Sequence, residues 1–146
     1  MPAAHLVLFL SVVAHVLLVF FLGFRMAAAR YSAAKKGEVD LERMAIDHTV
    51  WPTPVRKISN AYMNQFEMPV LFYAAVLFAF TIGGAGWLMA ILGCVYVLIR
   101  YVHAFVHIGR NVVILRFQVF ILSAIVLLVM WGYLTGHAVG SYLAVA

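Results

Sequence analysis

Four long apolar runs, separated by breaks of very unequal length, organise this chain. Residues 4–24 contain no charged side chain and span about the ~20 residues a helix needs to cross a bilayer core. The second run, 58–82, is preceded by Thr53-Pro54, a helix start with proline in the first turn, and ends at the uncharged turn Gly83-Gly84-Ala85-Gly86. The third, 87–108, opens on Trp87 as an interfacial anchor and stops at Gly109-Arg110-Asn111, where Asn111 is placed to cap the fourth run, 112–135. Trp131 and Tyr133 lie near the far end of that last run, and the tail beyond it, His137 included, offers no evident chemistry. Only the segment 25–57 is long and polar, with Trp51 expected at the membrane interface. The pattern predicts an all-α integral membrane protein, a four-helix bundle in one domain.

Composition closes off the alternatives. Of 146 residues, 66% are hydrophobic and 10% charged, and the mean hydropathy is +1.05, more apolar surface than a water-soluble domain of this length could hide. A cleavable signal peptide would carry its positive charge ahead of the first apolar run, whereas Arg25 and Arg30 follow it. The single cysteine, Cys94, excludes an intramolecular disulfide and reads as a small apolar filler. Net charge is +5, but the bases sit in two places: Arg25, Arg30, Lys35, Lys36, Arg43, Arg56 and Lys57 around the long loop, and Arg100, Arg110 and Arg116 around the short one. That asymmetry places both basic breaks in the cytoplasm and both termini on the opposite side. Anionic membrane lipid is the expected partner of these charges, and nothing suggests nucleic acid.

Against this background Glu67 stands out as the acidic residue that no loop claims. An ionisable group in a span is costly and calls for a partner. In a hairpin turning at Gly83-Gly84, Glu67 and Arg100 are equidistant from the turn, as are Asn64 and His103, which pairs an acid with a base and an amide with an imidazole. Arg100, His103, His107 and Arg110 recur at helical spacing on one face of the third span. Arg116, counted back from Asn111, reaches the level of His107. The spans thus gather Asn64, Glu67, Arg100, His103, His107, Arg110 and Arg116 near one membrane surface. One reading is structural: Glu67 neutralises Arg100 while Arg110 and Arg116 snorkel to lipid phosphates. The other uses the surplus positive charge to hold an anionic ligand. A metal held by His103, His107 and Glu67 is disfavoured by the neighbouring arginines, so no metal is expected. His5 and His15 read as bonds to neighbouring helices rather than as ligands.

At these residues the chain resembles the membrane-associated proteins in eicosanoid and glutathione metabolism, the MAPEG superfamily. Asn64-x-x-Glu67 with a following proline resembles the second-span signature, and Arg100-x-x-His103, a polar residue at 107 and Arg116 resemble its third-span and fourth-span pattern. The run from Asn64 to Tyr73 is most similar to small bacterial members. The resemblance implies a homotrimer in the bacterial inner membrane, glutathione bound between subunits at the cytoplasmic end, and an apolar electrophile arriving from the lipid. It implies ligand contacts from Asn64, Glu67, His103 and Arg116; the basic cluster adds Arg100, His107 and Arg110 as expected ligand-binding residues, and Arg116, at the head of the fourth span, is the candidate catalytic cation beside the thiolate. His107 stands where glutathione-using members have tyrosine, and Asn60 and Met63 where several have arginine; Arg25 aligns loosely with a first-span arginine. The expected function is a glutathione- or other thiol-dependent transferase or peroxidase. The competing one is a non-catalytic membrane protein that binds anionic lipid or ligand in the same place.

Overall fold

The computed structural model describes residues 1–44 and 46–145, apart from the side chains of Leu41 and His48. Helix α1 (Ala3–Lys35) is followed by a short α2 (Leu41–Met44) and a 3₁₀ turn (His48–Val50), then by α3 (Thr53–Met63), a second 3₁₀ turn (Asn64–Phe66), α4 (Pro69–Thr81), α5 (Trp87–Ile108) and α6 (Val113–Leu143). Among the described residues four segments are long and apolar enough to cross a membrane: Ala3–Lys35, Thr53–Thr81, Trp87–Ile108 and Val113–Leu143. The protein is therefore an integral membrane helical bundle.

The helices depart from the apolar runs where backbone rather than hydropathy decides. α1 continues past Phe24 through an alanine-rich stretch of high helix propensity, so it is about 50 Å long at ~1.5 Å per residue. It ends in a Schellman-type cap, in which the Glu38 amide donates to Ala33 O at 3.0 Å and the Gly37 amide to Ala34 O at 3.0 Å. The expected loop 25–57 is thereby reduced to 36–52. That loop folds back on the bundle, since Trp51 packs with Ala33, Val39 and Val55 and lies under the Arg30 guanidinium, 5.2 Å from its ring centre. Trp51 is thus covered by protein. α6 likewise runs on to Leu143 because nothing in 136–143 stops a helix, and His137 Nε2 lies 3.1 Å from Ile82 O at the end of α4.

α5 is the central helix, packed against α1, α3 and α6. Its buried face supplies Met89, Ala90, Tyr96 and Val97 to a core shared with Leu8 of α1, Phe72, Ala75 and Ala79 of α4, and Leu127 and Met130 of α6. Small residues on these faces let backbones approach closely, the means by which membrane helices associate when lipid is as apolar as the core. Gly93 is the tightest case, since a Cβ there would stand 2.9 Å from Ser11 Oγ and 3.0 Å from Leu8 Cδ1. The turn between α4 and α5 uses Gly83 at φ +74°, a conformation that favours glycine.

The second span is broken at its middle. Pro69 has no amide hydrogen for the Gln65 carbonyl, so an α-helix cannot run through 65–69 unaltered. The chain tightens into the 3₁₀ turn Asn64–Phe66, leaves helical geometry at Glu67 (φ −92°, ψ −105°) and restarts with Pro69 in the first turn of α4. An unbroken helix over 58–82 is the expectation this overturns.

The α1–α5 contact makes Gly93→Val destabilising by about 1–3 kcal/mol through overpacking, read as a lower thermal midpoint in detergent. Gly136→Val, where a Cβ meets nothing within 4 Å, leaves the midpoint unchanged.

Candidate functional site

The break in the second span exposes backbone and amide groups inside the bundle, and α5 supplies their partner. Arg100 is 0% exposed. Its Nη2 donates to Asn64 O at 3.0 Å, to Asn64 Oδ1 at 2.7 Å and to Gln65 Oε1 at 3.0 Å. Asn64 Nδ2 in turn donates to Glu67 Oε2 at 2.8 Å. The amide orientation follows from chemistry, since its oxygen must face the guanidinium and its nitrogen the carboxylate. Arg100 and Glu67 meet through Asn64, and the expected direct ion pair between them is not formed. Counting residues from the turn assumes equal rise on both sides. The 3₁₀ turn and the non-helical Glu67 break that assumption, and Arg100 meets 64 and 65 instead. Gln65, which the sequence reading passed over, is 1% exposed and anchored by its Nε2 to Ala61 O at 2.8 Å.

The second junction, between α5 and α6, positions the other cation. Asn111 takes the left-handed conformation at φ 54°, which asparagine tolerates, and its amide donates to Val106 O at 2.9 Å. It therefore closes α5 rather than capping α6. Its side chain accepts from Arg116 Nη1 at 2.7 Å, which fixes that guanidinium one turn into α6.

Between these junctions lies a cavity of about 290 Å³ lined by Asn64, Glu67, His103, His107, Val113, Arg116, Phe117 and Phe120. Five of the seven residues singled out in the sequence meet here. Arg100 stands behind Asn64 and reaches the cavity only through it, and Arg110 is exposed in the α5–α6 turn, outside the cavity. His103 and His107, at 2% and 6% exposure, stack edge to face with ring centres 5.8 Å apart, and the Nδ1 atoms of both lack hydrogen-bond partners among the described residues. Phe120 packs against His103 with ring centres 6.1 Å apart. One wall is thus ionic and imidazole, the other apolar. An anion with a polar head fits the first and an apolar reactant the second.

Two larger cavities lack this convergence. One, of about 450 Å³, is an apolar groove between α1 and α5 containing Cys94. The other, of about 470 Å³, lies against α1, the loop and α3, where Asn60 and Met63 share the lining with Arg30 and Arg56. Arg25 lines none of these three.

The MAPEG family model matches residues 8–136 of the chain. No curated protein and no solved structure matches it.

Double-mutant cycles on thermal stability in detergent test the amide bridge. Asn64→Ala and Arg100→Gln couple by more than about 0.5 kcal/mol, as residues in one hydrogen-bond network do. Glu67→Gln and Arg100→Gln couple less strongly than that pair.

Proposed function

The chain belongs to the MAPEG family, and from that premise we propose that it is a membrane enzyme that binds glutathione or a similar anionic thiol and reacts it with an apolar electrophile. The match makes it a membrane protein of the superfamily of eicosanoid and glutathione metabolism. Thiol chemistry is supported by the cavity that gathers Asn64, Glu67, His103, His107 and Arg116 against Val113, Phe117 and Phe120. Arg116 has its guanidinium oriented by a neutral amide, Asn111, and is not paired with a carboxylate among the described residues, so its charge remains available to a thiolate. Glu67 offers an acceptor for an ammonium, and the carboxylates of a peptide thiol would turn to the positive side of the site.

A thiol of this type ionises near pH 8.5 when unperturbed, and a cation held beside it raises the reactive fraction at neutral pH. In transfer, the thiolate forms a bond from sulfur to the electrophilic carbon while the leaving group departs with its electron pair. In peroxide reduction two thiols are oxidised to a disulfide as the peroxide becomes alcohol and water. The apolar wall suits a reactant drawn from the lipid. The site is open on one side of the single chain, in keeping with a homotrimer whose neighbouring subunit closes it. The basic breaks at 25–57 and 109–116 favour an orientation with this end in the cytoplasm of a bacterium and both termini opposite.

Three departures tune this reading. His107 replaces a phenol with an imidazole, and Asn60 and Met63 remove two guanidiniums from α3, while Arg30 and Arg56 line, together with them, the separate cavity of about 470 Å³. The competing reading, a lipid headgroup held in a structural site, differs in that it requires no thiol.

Titrating the purified protein with glutathione, while following thiolate absorbance and turnover of an aryl halide, tests the proposal. Saturable binding is expected, with thiolate signal and turnover falling roughly 10- to 100-fold in Arg116→Ala, the loss of about 1.5–3 kcal/mol for a charge-assisted bond. No binding at millimolar ligand would sink the enzyme reading. Asn111→Gly, which preserves the left-handed backbone but frees Arg116, lowers turnover while leaving the thermal midpoint near that of the parent protein.

A further inference from the structure

The cavity of about 470 Å³ between α1, the loop 36–52 and α3 shares no lining residue with the one proposed for thiol chemistry, so its chemistry is independent of that reading. Its two helices run antiparallel. Tyr62 lies against Gly23, where a Cβ would stand 3.3 Å from the ring, Ser59 accepts from Arg30, and Val55 packs with Ala33. Moving toward the middle of the bilayer therefore lowers the residue number on α1 and raises it on α3. The lining changes character in that direction on both helices, from Arg30 to Met26 on α1 and from Arg56 and Ser59 to Tyr62 and Met63 on α3. Guanidiniums and a hydroxyl stand at the aqueous end, thioethers and a phenol ring at the apolar end.

Charge at the aqueous end is held in place but not cancelled. Arg30 Nη2 donates to Ser59 Oγ at 3.2 Å, and the guanidinium lies 5.2 Å from the centre of the Trp51 ring; both partners are neutral. No aspartate or glutamate lines the cavity. Asp47, two residues before the lining Thr49, accepts with Oδ1 from the amide and hydroxyl of Thr49 itself, at 2.8 and 2.6 Å. Arg56 adds a second guanidinium, on an exposed residue. The uncharged run of α1 ends at Phe24, so Met26 and Arg30 stand about 3 and 9 Å beyond it at ~1.5 Å per residue, across the depth of the headgroup layer. A phosphate ester is the anion that this layer supplies in quantity, and guanidiniums take its several oxygens in charge-assisted bonds.

We infer that this cavity binds an anionic glycerophospholipid, with the phosphate between Arg30 and Arg56 and an acyl chain leaving past Met26 and Met63. A basic pocket between membrane helices, at headgroup depth, is the form such recognition takes. The volume lies within the range of small-ligand sites and admits a headgroup as well as its phosphate. Met63 is exposed, which leaves the chain a way out to the bilayer. Because α1, the loop and α3 all contribute to the lining, a bound lipid also ties the loop to the bundle.

Titrating the full chain in a neutral detergent with short-chain phosphatidylglycerol, and counting bound lipid by native mass spectrometry, tests the site. Saturable binding is expected, tighter than that of phosphatidylcholine with the same chains, weakened about tenfold in Arg56→Gln and not displaced by inorganic phosphate at equal concentration. Arg56 is exposed, so this variant keeps the fold, which its thermal midpoint without lipid checks. Arg43→Gln makes the same charge change on an exposed residue of α2 outside the cavity and leaves binding unchanged. Displacement by inorganic phosphate would make this a site for a free anion and overturn the lipid assignment. Binding that does not saturate, that is equal for the two lipids, or that falls as much in Arg43→Gln as in Arg56→Gln would reduce the attraction to diffuse surface charge and overturn the site.

Discussion

A charged guanidinium held by neutral oxygens is the interaction on which this bundle turns. Within a membrane every backbone carbonyl needs a donor from the protein, and a proline in the middle of a span removes one. Pro69 does so here, and the second span answers with the turn Asn64–Phe66 and a non-helical Glu67. The Asn64 carbonyl released by that break is taken by Arg100, together with the Asn64 and Gln65 side-chain oxygens. Arginine suits the task because its planar fork can serve several acceptors at once and its charge does not neutralise on burial. The break and the buried charge are each costly alone, and each satisfies what the other leaves open.

The same arrangement turns a structural necessity into a chemical surface. With Asn64 held between Arg100 and Glu67, the carboxylate is oriented by its amide neighbour rather than cancelled by a direct ion pair. At the other junction, Asn111 ends α5 with its backbone and orients Arg116 with its side chain. Two interruptions of helix, in the second span and between the last two, therefore position the ionic groups of the cavity. Continuous helices contribute its imidazoles and its apolar wall.

Much of this was legible in the residues. The apolar run between Gly83-Gly84 and Gly109-Arg110-Asn111 coincides with helix α5, Trp87–Ile108, because both of its boundaries are backbone signals. The ends of α1 and α6 were not legible from apolarity, since alanine-rich and glycine-spaced sequence continues a helix beyond the bilayer as readily as within it. Helical spacing brought His103 and His107 to one face, and depth counting brought them to Asn64 and Glu67. The partner of Arg100 was misassigned because the count treated 58–82 as one helix, although Pro69 was in view and its missing amide foretold the break. Gln65 was overlooked because an amide beside a carboxylate carries no charge to balance. Arg110 shares the spacing of the motif but lies past the end of α5, where a turn and not a helix face determines its direction.

The account rests on Arg100 being bound to the broken turn and not to Glu67. Solid-state NMR on the protein in lipid, measuring dipolar dephasing between the Arg100 guanidinium nitrogens and labelled side-chain carbons, compares the two partners directly. Strong dephasing by the Asn64 carboxamide carbon and weaker dephasing by the Glu67 carboxylate carbon is the result this account predicts. The reverse order would mean a direct ion pair across the bundle, and would contradict it.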